Sequence, residues 1–445
     1  MTTAPPVVVE PAAAGPAPRP AVAQASVPAT AGRGPIALLL LAVALAAAVP
    51  VLPGKLLLLD VAVLLALPLI ASTLVTDRRF GWPVLVIGAW GLGLLFADLA
   101  AGNGPRVGQH MVAAFGILTL SAALVRLSRN DPERLRLLIA ALAVGVAVGG
   151  LSTGEAGPTS YLYPNGPPAT PAILWKYKLA EPISIAVLAL CDIRWRAGSR
   201  TPTFAALILL TAADIVCDLR SLAVATLCAL ALAAIAATKR VRLRPATIIA
   251  LGGIPCLLLV GGFFAAAKAG WLGERSVEQF RGGAQVDFWT IMANGRPEGL
   301  QALYLISEKP YGWGSQPGID SVTFAESLTF INEHNVTVDV NLPKDWIVKT
   351  DPGLAAHSQA LDTVVQAGLL AVPFWIFLLA VGLRRAMTAI RLRAGPLIAF
   401  WTVATGWNLL FEPLVWPNHL LMAGYLAVVL LPLPGQAELR PEEAR

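Results

Sequence analysis

The sequence predicts an all-α integral membrane protein with about twelve transmembrane helices and one large extracytoplasmic loop. Three observations carry that expectation. Of the 445 residues, 56% are hydrophobic and only 13% are charged, with a mean hydropathy of +0.68, which excludes an ordinary soluble globular chain. Apolar runs of roughly 17–25 residues, the length that crosses a bilayer as a helix, recur throughout. Lipid offers the backbone no partners, so such runs must pair their own N–H and C=O groups as helices. One long polar stretch, 270–356, interrupts the pattern, and a membrane protein with one such loop usually does its chemistry there.

The first 34 residues are rich in Pro and Ala and read as a disordered cytoplasmic tail. No signal-peptide cleavage site follows the first apolar run, which therefore reads as a retained helix. Helices one to nine occupy 35–269, with spans at 35–52, 56–75, 81–99, 108–125, 137–153, 173–193, 203–218, 221–238 and 246–269. The 270–356 loop carries amphipathic helices. Spans at 357–383, 395–411 and 419–433 fill 357–435, and 436–445 is a second cytoplasmic tail.

Charge sets the orientation. Basic residues gather in alternate loops: Arg78 and Arg79; Arg126, Arg129, Arg134 and Arg136; Arg194, Arg196 and Arg200; Lys239, Arg240, Arg242 and Arg244; Arg384, Arg385, Arg391 and Arg393. The other loops hold little beyond Lys55, Arg106, Lys176, Lys178 and Arg220. The positive-inside rule puts both termini in the cytoplasm and 270–356 outside. The net charge of +6 thus serves membrane orientation rather than nucleic-acid binding. Cys191, Cys217, Cys228 and Cys256 lie inside apolar runs without paired spacing, which argues against a disulfide framework and a metal site.

All four histidines, His110, His334, His357 and His419, fall at or beyond the outer ends of spans. His357 opens span ten; it reads either as a polar cap or as a general base, since its ordinary pKa lies near neutrality. Arg220, in Asp218-Leu219-Arg220-Ser221, is held between two apolar runs. It reads as the structural partner of Asp214 or Asp218, or as a clamp for phosphate oxygens. Arg296 stands ahead of a helix-like stretch in which Leu300, Leu303 and Tyr304 share a face suited to a membrane surface; it reads as a solvated arginine or a ligand. Lys178 and Glu181, three apart, share a helix face and read as an ion pair. Alternatively Lys176 and Lys178 reach a lipid-linked phosphate. Asn335-Val336-Thr337 matches a glycosylation acceptor by chance.

Together these pieces resemble the O-antigen ligase and Wzy-type polysaccharide polymerase superfamily. Four features carry the resemblance. There is a short arginine-bearing turn at Asp218–Ser221. Arg296 precedes the turn Pro310-Tyr311-Gly312-Trp313-Gly314 by fourteen residues. His357 and Leu361 are followed by Gly368-Leu369-Leu370. Pro164-Asn165 lies before span six. The similarity is strongest over about 200–375. Ser358, Ala371 and Leu300 depart from residues common in that superfamily, and Arg281 or Arg275 is an alternative to Arg296.

The resemblance implies a GT-C-like membrane glycosyltransferase of cell-surface polysaccharide biosynthesis, in a bacterial inner or plasma membrane. It would move a glycan from undecaprenyl pyrophosphate to a glycan, lipid or other hydroxyl acceptor, with no metal and no cofactor. His357 would be the base, and Arg220 and Arg296, with Lys176 and Lys178, would hold the pyrophosphate. The rival readings are a transporter or flippase of envelope precursors, which usually shows two similar halves, and a metal-dependent glycosyltransferase, which would want paired carboxylates where the first outer loop offers only Asp60.

Overall fold

The computed structural model describes residues 33–52, 56–102, 109–152, 170–217, 219–237, 262, 265, 269, 297–315, 319–333, 358–412 and 417–433. The chain divides into Met1–Leu39 and Leu40–Arg445. Of the first unit, the described part is the opening of helix α1 (Arg33–Ala48). Everything below concerns the second.

Helices lie where the apolar runs predict them. They are α2 (Leu58–Leu65), α3 (Leu67–Thr76), α4 (Gly81–Ala100), α5 (Gln109–Ser128), α6 (Pro132–Ser152), α7 (Ala180–Arg196), α8 (Thr201–Val216) and α9 (Arg220–Ala237). After the polar stretch come α13 (Val372–Arg391), α14 (Leu397–Phe411) and α15 (Asn418–Leu430). The predicted span 246–269 lies outside the described residues, apart from three isolated positions. Among the described residues four helical segments are long and apolar enough to cross a membrane, Arg78–Ala100, Met111–Ser128, Pro132–Ser152 and Gln359–Arg391, or five if α2 and α3 count as one.

Three predicted spans are not straight helices. The first ends early, at Ala48, because Pro50 cannot continue it. Pro50–Leu52 instead pairs antiparallel with Leu56–Leu57, Pro50 opposite Leu57. The second bends by 70° between α2 and α3, where Pro68 stands in the first turn of α3 without a donor N–H. The predicted span 357–383 is two helices, α12 (Gln359–Ala367) and α13, joined by a 3₁₀ turn, Gly368–Ala371.

The helices have chemically different ends. At one end the basic loops are tied to one another. Arg79 donates to Asn130 (2.7 Å), Arg126 to Ser72 (3.0 Å) and Arg200 to the Ala237 carbonyl (2.9 Å). Arg136 is paired with the buried Asp192 (2.7 Å), and the Trp195 indole donates to the Arg393 carbonyl (2.9 Å). In this region the Arg79 guanidinium holds the Asp77 carboxyl below the usual carboxylate range. The described loop arginines that the charge pattern groups together therefore share one end, while Lys239, Arg240, Arg242 and Arg244 lie outside the described residues.

The core centres on α15, which packs against α5, α6, α13 and α14 and is buried from His419 to Leu430. Trp401 and Tyr425 sit ring to ring at 5.7 Å, and Trp90 stacks on Phe374 at 5.3 Å. Large apolar side chains such as Leu85, Phe96, Leu209 and Val216 are exposed on the surfaces of their helices.

Of the polar stretch, two helices are described, α10 (Pro297–Glu308) and α11 (Ser321–Glu333). Pro297 opens α10, where its missing N–H costs nothing. Asp320 caps α11, and the Thr323 backbone N–H holds its carboxyl below the usual range. The apolar face expected on α10 exists, but protein covers it. Leu300 packs on Ile331 of α11, and Ala302 and Leu305 pack on Trp313 and Val365.

Candidate functional site at the non-basic end

The turn Pro310–Gly314 and the break at Gly368 fit into one another. The Trp313 and Gly314 amides donate to the Val365 and Gln366 carbonyls (2.8 and 3.0 Å), and the Leu369 amide returns a bond to the Pro310 carbonyl (2.9 Å). The approach requires glycine. Gly312 has φ +99° and Gly368 φ +69°, and a Cβ on either would overlap the backbone of the other segment. The Trp313 indole donates to the Leu305 carbonyl (2.9 Å), and the Lys309 ammonium lies 3.7 Å from its ring centroid.

The turn is anchored to the C-terminal end of α4, far along that helix from Arg78 and Arg79. Asp98, buried there, accepts from the Ser315 amide at 2.7 Å and from its hydroxyl at 2.8 and 2.9 Å. The 310–315 segment thus sits at the end opposite the basic loops.

Just before the break, Ser358 caps α12. Its Oγ accepts from the Leu361 amide (3.1 Å) and donates to the Leu409 carbonyl (2.7 Å), fixing the start of α12 against α14. Within α12, Thr363 accepts from the Trp375 indole (2.6 Å). The polar residues Gln359, Asp362, Thr363 and Gln366 are all buried, so α12 is a polar helix enclosed by protein.

A small cavity of about 10 Å³, room for one water-sized group, lies beside α12; Glu181, Gln359, Thr405, Asn408 and Asn418 of α7, α12, α14 and α15 line it together with apolar side chains of α14 and α15. Asn408 donates to Glu181 (3.0 Å). The Lys178–Glu181 pairing assumed an α-helical turn. Instead Trp175–Leu179 forms a π-helical segment, which shifts the following residues round the axis. The Lys178 stem lies on Gly150 of α6, and Glu181 turns to α14. Lys176 is half-buried in the same π segment, 5.8 Å from the Tyr177 ring.

Two further carboxylates mark this end. Asp214, fully buried at the close of α8, accepts from the Trp175 indole (3.0 Å); its second oxygen has no hydrogen-bond partner among the described residues. Asp60 pairs with His419 (2.9 Å), joining α2 to α15.

Arg220 opens α9, and its side chain lies outside the described part. His357 and Arg296 also lie outside the described residues, as do Arg275, Arg281, His334 and Pro164-Asn165; so does the side chain of His110. The structure fixes the neighbours of two of them, Ser358 after His357 and Pro297 after Arg296. Among the described residues no group of three or more His, Cys, Asp or Glu side chains is placed to hold a metal ion.

Sequence reasoning passed over Asp98, Gln359, Asn408 and the Asp60–His419 pair. The signal available was an isolated acid or amide inside an apolar run, which is expensive in a membrane and so demands a partner. Compared with models of protein families, with curated proteins and with solved structures, the chain shows no match.

Proposed function

We propose that the chain is a membrane glycosyltransferase of the ligase or polymerase kind. It spans the membrane about twelve times, with both termini cytoplasmic and 270–356 outside. It transfers an undecaprenyl-pyrophosphate-linked glycan to an acceptor hydroxyl at the extracytoplasmic face. His357 takes the acceptor proton. Arg220 and Arg296, with Lys176 and Lys178 near them in the scheme, hold the diphosphate leaving group. The leaving group is good, so the task is to position two substrates, neutralise phosphate charge and remove one proton.

One observation supports this reading above the others. Two of the four motifs that carry the resemblance, the Pro310–Gly314 turn and the Gly368 break after His357, are far apart in sequence and interlock through three backbone hydrogen bonds. They do so at the end of the helices opposite the basic loops. A chain with chance matches to both motifs gives no reason for such a fit.

The test is product formation by purified protein supplied with a lipid-linked glycan and an acceptor. We expect a longer or ligated glycan, and activity that persists in EDTA. Loss of activity in EDTA with recovery on adding magnesium or manganese would favour a metal-dependent enzyme instead.

A further inference from the structure

The cavity beside α12 has a charge and donor set of its own. Among the described residues Glu181 is its one ionisable lining residue, and no lysine, arginine or histidine lines it. Glu181 is half-buried, and a carboxylate withdrawn from water is costly unless something meets its charge. Asn408 supplies a single hydrogen bond to it. Among the described residues the charged neighbour of Glu181 is another carboxylate, Glu412. His419, next to the lining residue Asn418, is committed to Asp60.

A second, independent observation comes from Gln359. It is 2% exposed, lines the same cavity, and its Oε1 is buried with no hydrogen-bond partner. A buried carbonyl oxygen left unpaired is costly, and such an atom calls for a ligand. The remaining polar lining, Thr405, Asn408 and Asn418, also offers oxygen.

From this geometry we infer that the cavity is a binding site for a monovalent cation of sodium size. Oxygen donors suit a hard ion, and one carboxylate balances one positive charge. Magnesium and calcium sites bring more carboxylates or keep several waters. The ion would join Glu181 of α7 and Asn408 of α14 to Gln359 of α12, and so tie down the helix that follows His357. The site is independent of the glycosyltransferase reading and can be tested without substrate.

The test is the unfolding midpoint of the purified full chain in detergent as N-methyl-D-glucamine chloride is exchanged for sodium chloride at constant ionic strength. An ion that binds only the folded state raises the midpoint, and the rise saturates. Wild type should show that rise. Glu181→Gln and Gln359→Met should each need about tenfold more sodium or lose the response. Gln359→Met keeps the volume and removes the unpaired oxygen, so it carries the test alone if Glu181→Gln fails to insert. Equal midpoints in the two salts for wild type would overturn the proposal. So would a sodium response unchanged in the variants, or calcium acting at lower concentration than sodium.

Discussion

At the scale of single residues, the proposed scheme separates function from support. In it Arg220 and Arg296 hold phosphate, and a charge-assisted contact is worth about 1.5–3 kcal/mol. Arg220→Ala or Arg296→Ala should therefore weaken donor binding by roughly tenfold to a hundredfold. Lysine at either position should recover only part, because a point charge replaces a two-pronged fork. Titrating donor against each variant, inserted at wild-type levels, checks this; unchanged affinity in Arg296→Ala would shift the role to Arg281 or Arg275. Asp98 belongs to the supporting class. While buried, it accepts from the Ser315 amide and from the Ser315 hydroxyl, whose single proton is shared between the two carboxylate oxygens. Asp98→Ala leaves those donors without their acceptor and should lower the unfolding midpoint; a midpoint equal to wild type would mean the anchor is dispensable. Such pairs were not legible in the sequence. Asp98 and Ser315 lie 217 residues apart in the sequence, and no local rule links them. The same holds for Asp60 and His419.

At the scale of elements, hydropathy located the helices and missed their interruptions. An apolar run shows that a backbone must be helical but does not show the sign of φ at one glycine. Gly368 therefore read as part of span ten, whereas its φ of +69° ends α12 there. The π segment at Trp175–Leu179 was invisible for the same reason, and with it the redirection of Glu181. The interlock yields a sharp prediction. Gly368→Ala forces an L-residue into a positive-φ, extended-ψ conformation that is essentially glycine-only, at about 1–3 kcal/mol, and also presses a methyl into the Tyr311 backbone. Both Gly368→Ala and Gly312→Ala should lower the unfolding midpoint and the yield of transferred glycan. Gly88→Ala, on α4 with open space around it, should do neither. Equal behaviour of all three would remove the interlock from the account.

At the scale of the whole molecule, the alternation of basic loops was the most legible property. Arg79, Arg136, Arg200 and Arg393 come from separate loops, and their hydrogen bonds gather those loops at one end. Asp98, Glu181, Asp214 and the Asp60–His419 pair fall at the other. The proposed orientation puts that second end outside. Reporter fusions after Gly314 and after Leu433 should report opposite sides, the first extracytoplasmic. A cytoplasmic report at Gly314 would remove the site from the face where the lipid-linked donor is presented.

The central claim is that His357 takes a proton from an acceptor while other residues hold the donor. The most direct test measures glycan transfer and donor affinity together, in purified wild type and His357→Ala. A base acts in the transition state and does not hold the diphosphate. The account predicts turnover lowered by a factor of about 10²–10⁴ with donor affinity nearly unchanged. Near-normal product from His357→Ala would contradict it.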